Sequence, residues 1–280
     1  MTYAVVNDRL VGFGVKHVST KKTSGKMVPK MLVLHYTAGT SFEGDLAILS
    51  TASAKVSCHL VIGPNGEVGQ VGDFKDALWH AGVSNWKGYS GLNQHSIGIE
   101  VTSPGWLTSK GSGTAATWSG KIIKDNDPWP FIHARHKNPK ENATLWAGFT
   151  EKQIDAVLEI GALLMDHYGL KEAVGHDQIA PLRKIDPGPC CPQSVFARFN
   201  GNAEDEQEIE RPDLPGGTAM KVTGVAPEKL AFRSSPNGTK RGELSENQIV
   251  EQIAVDGKWT NVRTPAGYVG WVWSSYLQAA

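Results

Sequence analysis

Lys30-Met31-Leu32-Val33-Leu34-His35 decides how this chain is read, together with the segment from Val174 to Gly188. The first is a short apolar run ending in a histidine, which predicts a buried strand. The second is Val-Gly-His-Asp-Gln-Ile-Ala-Pro-Leu-Arg-Lys-Ile-Asp-Pro-Gly. It has Gly and Pro and no apolar period, so it predicts a loop of the kind that carries functional groups on a rigid scaffold. Between them the two segments offer His35, His176 and Asp186. Two imidazoles and one carboxylate can hold Zn²⁺ and leave its fourth position open for water, a site suited to hydrolysis.

Outward from the first strand, strands and helices alternate. Ser41 can cap a helix running through Asp45-Leu46-Ala47-Ile48-Leu49. Cys58–Gly63 reads as a strand, Pro64-Asn65-Gly66-Glu67 as a hairpin turn, and Val68–Val71 as its partner. Ser96–Val101 is another apolar strand. Thr150-Glu151-Lys152-Gln153 has capping-box form, and the helix it opens has apolar residues at helical spacing until Gly169 ends it. This pattern predicts an α/β fold with a mixed central sheet flanked by helices. The stretch 103–149 lacks a period, and its Trp106, Trp118, Trp129, Phe131 and Trp146 predict packing or a binding wall. Residues 201–217 are acidic, then rich in Pro and Gly, and read as a linker. Beyond it, 218–280 carries five short strand-like runs separated by turns, which predicts a small all-β barrel.

The bulk composition excludes several classes. The chain has 280 residues, 40% hydrophobic and 20% charged, with 28 basic and 28 acidic side chains. Nothing in that balance argues for nucleic acid or a membrane surface. No apolar run approaches the roughly 20 residues of a membrane-spanning helix. The N-terminal residues lack the pattern of a secretory signal. With three cysteines, two of them adjacent, no disulfide framework is expected, which suits synthesis in a reducing cytoplasm. HExxH, a PCxxC deaminase pair, GxSxG and GxxxxGK[ST] are all absent. His133 and His136 have three-residue spacing but no adjacent glutamate, and Cys58 and His59 point to opposite faces of a strand.

Residues about 30–195 resemble the zinc-dependent N-acetylmuramoyl-L-alanine amidases (amidase type 2), whose fold is shared with peptidoglycan recognition proteins. The resemblance rests on His35-Tyr36-Thr37-Ala38-Gly39, Ser57–Ile62, Trp79-His80-Ala81-Gly82, Asn93–Glu100 and Gly175–Pro189, in the family's order. It implies that His35, His176 and Asp186 ligate zinc, that Glu100 activates the metal-bound water, and that Lys184 stabilises the oxyanion, with Arg183 beside it as a competitor. It also implies that Trp79, His80 and Asn93 lie by the substrate groove; His59 is expected to be structural. Residues 218–280 resemble bacterial SH3 domains through Leu230–Pro236, Gly257–Val262 and Gly267–Leu277, which implies binding to cell-wall peptide.

The expected protein has a catalytic domain over 1–200, a linker over 201–217 and an SH3-like module over 218–280. The expected partner is peptidoglycan or a muropeptide, with no nucleic acid and no membrane, and the sequence carries no indication of oligomeric state. A wall-binding module without a leader suggests a phage or prophage endolysin, made in the cytoplasm and acting on the wall after release. The alternatives are an intracellular amidase recycling anhydro-muropeptides and a non-catalytic peptidoglycan-binding protein.

Overall fold

The run at Met31–Tyr36 forms a strand inside a six-stranded sheet in the computed structural model, which describes residues 3–51, 53–138, 142–201, 218–233, 236–238, 240–264 and 269–280. The sheet order is Ala173–Gly175, Met31–Tyr36, Ser96–Val101, Leu60–Ile62, Val68–Gln70, Lys16–His17. The first four strands pair in parallel, and Leu60–Ile62 with Val68–Gln70 forms the expected antiparallel hairpin, so the sheet is mixed. Met31 to His35 are all buried. A strand covered on both faces reads as a continuous apolar run, which is why the segment lacks alternation.

Register sets the site. His35 lies opposite Glu100, and Gly175 lies opposite Leu34. The C-terminal ends of three parallel strands therefore line up on one sheet edge, where open α/β sheets place their ligands.

Helices cover the sheet. Ser41 caps Phe42–Ser50, its Oγ accepting from the Gly44 N–H at 3.3 Å. Thr150 and Gln153 form the capping box of Glu151–Tyr168, and Gly169 closes that helix at φ 61°. Gly161 lets Gln193–Phe199 approach it closely, since a Cβ there would stand 2.4 Å from the Phe199 ring.

Two sequence expectations change here. The segment from 174 is not all loop: Ala173–Gly175 is a strand and His176–Ile179 a single helical turn. The Gly175 N–H donates to Gln178 Oε1 at 2.6 Å, closing that turn without an apolar period. The stretch 103–149 is built rather than irregular. Thr108–Gly111, Thr114–Ala116 and Ile122–Lys124 make a three-stranded sheet, and Phe131–His133 pairs with Leu145–Ala147. These surround Leu107, Ala115, Ile123, Trp129, Leu145 and Ala147.

The chain divides into two compact units, 1–202 and 203–280. The second is an antiparallel seven-stranded sheet around Val222, Leu230, Phe232, Leu244, Val250, Val262 and Val272. It has two strands more than expected, Lys240–Leu244 and Leu277–Ala279. Residues 202–217 of the expected linker lie outside the described residues, as do Ser235 and the turn Pro265-Ala266-Gly267. No helix among the described residues is long and apolar enough to cross a membrane. Cys58, Cys190 and Cys191 are buried and free.

Candidate metal centre

Three segments far apart in sequence bring one lone-pair atom each to a single point. His35 ends a central strand, His176 opens the turn after Gly175, and Asp186 follows ten residues later. His35 Nδ1 lies 2.9 Å from His176 Nδ1 and 3.0 Å from Asp186 Oδ2, and His176 Nδ1 lies 2.9 Å from the same oxygen. All three residues are buried.

The protons on these rings follow from the outer partners. His80 Nε2 lies 3.2 Å from the Ser96 carbonyl, which can only accept, so the His80 proton is on Nε2. Burial, reinforced by the neighbouring imidazoles, holds His80 neutral, well below the usual histidine range. Its bare Nδ1 then accepts from His35 Nε2 at 3.1 Å. Burial and the proximity of His176 likewise keep His35 neutral, down to about 4. On the other side, His176 Nε2 donates to the Ala81 carbonyl at 3.0 Å.

Both Nδ1 atoms that face Asp186 are thus lone pairs. Asp186 is held low, against burial, by the hydrogen bonds and positive charge that imidazoles supply through a protonated Nδ1; with those nitrogens bare, a cation takes that part. Three acceptors within 3.0 Å of one another, with no proton to share, repel unless a cation joins them. Two imidazoles and one carboxylate suit Zn²⁺, whose bonds to such atoms run about 2.0–2.2 Å. The donor set therefore fits that metal, and each imidazole has the outer hydrogen bond that fixes a ligand's tautomer.

Glu100 stands beside this cluster, paired in register with His35. Its Oε2 is buried without a hydrogen-bond partner among the described residues. Burial, with the Asp186 charge adding and Lys184 opposing, pushes its carboxyl up to about 8. Lys184 is half-buried, close enough to act on both His35 and Glu100. Arg183 does not compete with it. Its guanidinium donates to the carbonyls of Ala81 at 2.7 Å and Val83 at 2.9 Å, pinning the loop that also holds His176.

The expected groove residues separate. His80 has both ring nitrogens engaged, one of them holding His35, which is the structural packing that is the other reading of this residue. Asn93 Oδ1 accepts from the backbone N–H groups of His80 at 3.1 Å and Ala81 at 2.7 Å, so it shapes the loop behind the cluster. Trp79 is 38% exposed, with its indole N–H on Ser24. His59 bridges strands, its Nδ1 accepting from the Gly98 N–H and its Nε2 donating to the Asp76 carbonyl. Sequence reading missed two supports. One is His80, whose role needs the Ser96 carbonyl across a strand. The other is His136, which reaches from the insertion to lie 3.2 Å from Asp177, between the two ligand segments.

Residues 25–189 match the family Amidase_2, N-acetylmuramoyl-L-alanine amidase. The N-acetylmuramoyl-L-alanine amidase AmiD of Escherichia coli is 31% identical over 228 residues, 76% of this chain and 70% of that protein. The 1,6-anhydro-N-acetylmuramyl-L-alanine amidase AmpD of Haemophilus influenzae is 31% identical over 137 residues. The chain spans about half of AmpD, 53% of its length. Among solved structures, E. coli AmiD in complex with anhydro-N-acetylmuramic acid-L-Ala-D-γ-Glu-L-Lys is 27% identical, with a TM-score of 0.45 over 70% of this chain and 65% of that one. A selenomethionine derivative of AmpD is 21% identical, with a TM-score of 0.48 over 70% of this chain and 98% of that one.

Proposed function

The chain belongs to the Amidase_2 family of N-acetylmuramoyl-L-alanine amidases, and from that premise we propose that it hydrolyses the amide between the lactyl group of N-acetylmuramic acid and L-alanine of the stem peptide. The observation that carries this reading is the set of three converging lone pairs on His35, His176 and Asp186. These residues would hold zinc. When bound, zinc supplies Lewis acidity, which makes a water nucleophilic near neutral pH and polarises the amide carbonyl.

The remaining chemistry belongs to the chain. Glu100 takes the proton of the attacking water and passes it to the leaving amine. A carboxyl raised toward neutrality by burial is matched to both transfers. Lys184 faces the developing oxyanion; losing one such donor typically costs about 10²–10³-fold in rate. His80 and the carbonyls of Ser96 and Ala81 keep the ligand imidazoles in one tautomer. The test is release of new L-alanine amines from a muropeptide, with zinc stoichiometry measured in parallel. His176→Ala is expected to lose both metal and turnover, and Glu100→Gln to keep metal and lose turnover. Amine release unaffected by a chelator and by added zinc overturns the proposal. No release by the zinc-loaded protein favours a non-catalytic binding role.

Two settings compete for the substrate. An SH3-like reading of 218–280 supports action on intact wall, as by an endolysin. The names of the relatives, AmpD above all, support soluble anhydro-muropeptides as substrate. Rates on sacculi and on soluble anhydro-muropeptides, measured with one preparation, separate the two.

A further inference from the structure

The insertion after the Glu100 strand carries four tryptophans, and one of them is out of place. Trp129 is buried in its small core and Trp146 is buried as well, their indole N–H groups on the carbonyls of Thr102 and Ala134. Trp118 is 59% exposed. Its indole N–H nevertheless donates to the Ala38 carbonyl at 2.7 Å. Three residues on, Lys121 Nζ donates to Thr40 Oγ1 at 3.0 Å. The turn between them is closed by bonds from the Gly120 N–H to the Thr117 carbonyl and from the Thr117 N–H to the Lys121 carbonyl, both 2.9 Å. One rigid turn of the insertion is therefore clasped to the loop that leaves the His35 strand. Ala38 is three residues from His35, a span of at most about 11 Å of chain. Trp118 is thereby anchored within that length of chain from His35.

We propose that Trp118 is a specificity-determining platform on which a pyranose ring of the substrate stacks, beside the scissile amide. The ring's only hydrogen-bonding atom is already used on Ala38, so what it presents is an apolar π surface with a fixed orientation. The negative face of an aromatic ring attracts the slightly positive C–H groups of a flat partner. A pyranose offers a contiguous C–H face of that kind. The stem peptide at the cut offers only the single methyl of L-alanine, a smaller C–H surface than a pyranose face. The bond to Ala38 also ties the platform to the loop that follows the strand carrying His35.

The proposal rests on the amidase reading, and its test separates the two. Two substrates share the same amide: a muramoyl tripeptide, and an N-lactoyl tripeptide without the sugar ring. Trp118→Ala is expected to lower kcat/KM on the muramoyl substrate by about tenfold, mainly through KM, and to leave the lactoyl substrate within about twofold. Trp118→Phe keeps a ring face and retains most of the muramoyl rate. Zinc content and thermal midpoint, measured on each variant, confirm an intact fold. Equal loss on both substrates assigns Trp118 to holding Ala38 alone and overturns the proposal, as does no loss on either. If the wild type cleaves neither substrate, the amidase reading fails instead. The platform is then decided, as it is if only the lactoyl peptide resists, by the Trp118 indole N–H resonance, identified by its absence in Trp118→Phe. A shift on adding methyl N-acetylmuramide supports the platform, and no shift removes it.

Discussion

A neutral imidazole offers a lone pair on Nδ1 only when its proton is on Nε2, and in this protein backbone carbonyls decide that. Ser96 sets His80, His80 sets His35, and Ala81 sets His176. Outer partners of this kind are worth about 10–100-fold in metal affinity. His80→Ala is therefore expected to weaken zinc binding by that factor in a chelator competition, and His80→Gln, which can both accept and donate, to recover part of it. Unchanged affinity in His80→Ala would remove the positioning role. Glu100 makes a second prediction at this scale, for the metal-free protein. Its carboxyl ordinarily titrates at 4.5 and is pushed by burial up to about 8 in the fold. Stability from its protonated form is complete below 4.5 and is lost as pH rises toward 8, because the unfolded chain releases that proton first. Thermal midpoints of Glu100→Gln and wild type should converge near pH 4.5 and separate by pH 8, with the variant higher. A constant difference across that range would contradict the burial argument. The candidate ligands were legible as residue types that hold zinc, and Glu100 and Lys184 through the family's motif order. The positioning role of His80 was not legible because its partners lie on two other strands, and no spacing within one sequence segment signals a tautomer relay.

At the scale of elements, legibility followed periodicity and caps. Met31–Tyr36 and Ser96–Val101 are apolar runs that the structure buries, and Glu151–Tyr168 announces both its ends. The insertion strands are three or four residues long, too short to show a period, and their core gathers Leu107, Ala115, Ile123, Trp129, Leu145 and Ala147 from separate segments. Lys240–Leu244 was missed because Lys-Arg-Gly-Glu-Leu is polar, as an edge strand can be. The best-marked cap also holds the sheet. Thr150 Oγ1 accepts from the Gln153 N–H at 3.2 Å and donates to the Pro64 carbonyl at 2.7 Å. Gln153 is fully buried, and its amide donates to the carbonyls of Ile62 at 3.3 Å and Thr102 at 2.7 Å, at the ends of two central strands. Thr150→Ala is expected to cost about 1 kcal/mol, as lost N-caps do. Gln153→Ala removes both of these bonds and the Oε1 that accepts from the Thr150 N–H at 2.9 Å, and should cost about 2 kcal/mol. Denaturant unfolding of both variants checks the order, and a smaller loss for Gln153→Ala would show that water replaces its amide.

For the whole molecule, the question is what the second unit adds to a candidate metal centre whose residues all belong to the first. His35, Glu100, His176, Lys184 and Asp186 all lie in 1–202, and 203–280 has its own apolar core. Joining a catalytic unit to a binding unit raises the local concentration of substrate only when that substrate is itself extended and multivalent. A sacculus is; a single muropeptide is not. Removing 203–280 should therefore leave kcat/KM on a soluble muropeptide within about twofold, since no proposed site residue is lost. On sacculi the same truncation should cost at least about tenfold, given that tethering can contribute 10²–10⁴ in avidity. The contrast between substrates is the informative quantity. Loss on sacculi alone supports a wall-lytic enzyme with an SH3-like anchor. Equal retention on both removes the anchor and favours a soluble muropeptide as substrate. Equal loss on both, with the zinc content of the fragment intact, would assign the second unit a part in catalysis itself and overturn this division of labour.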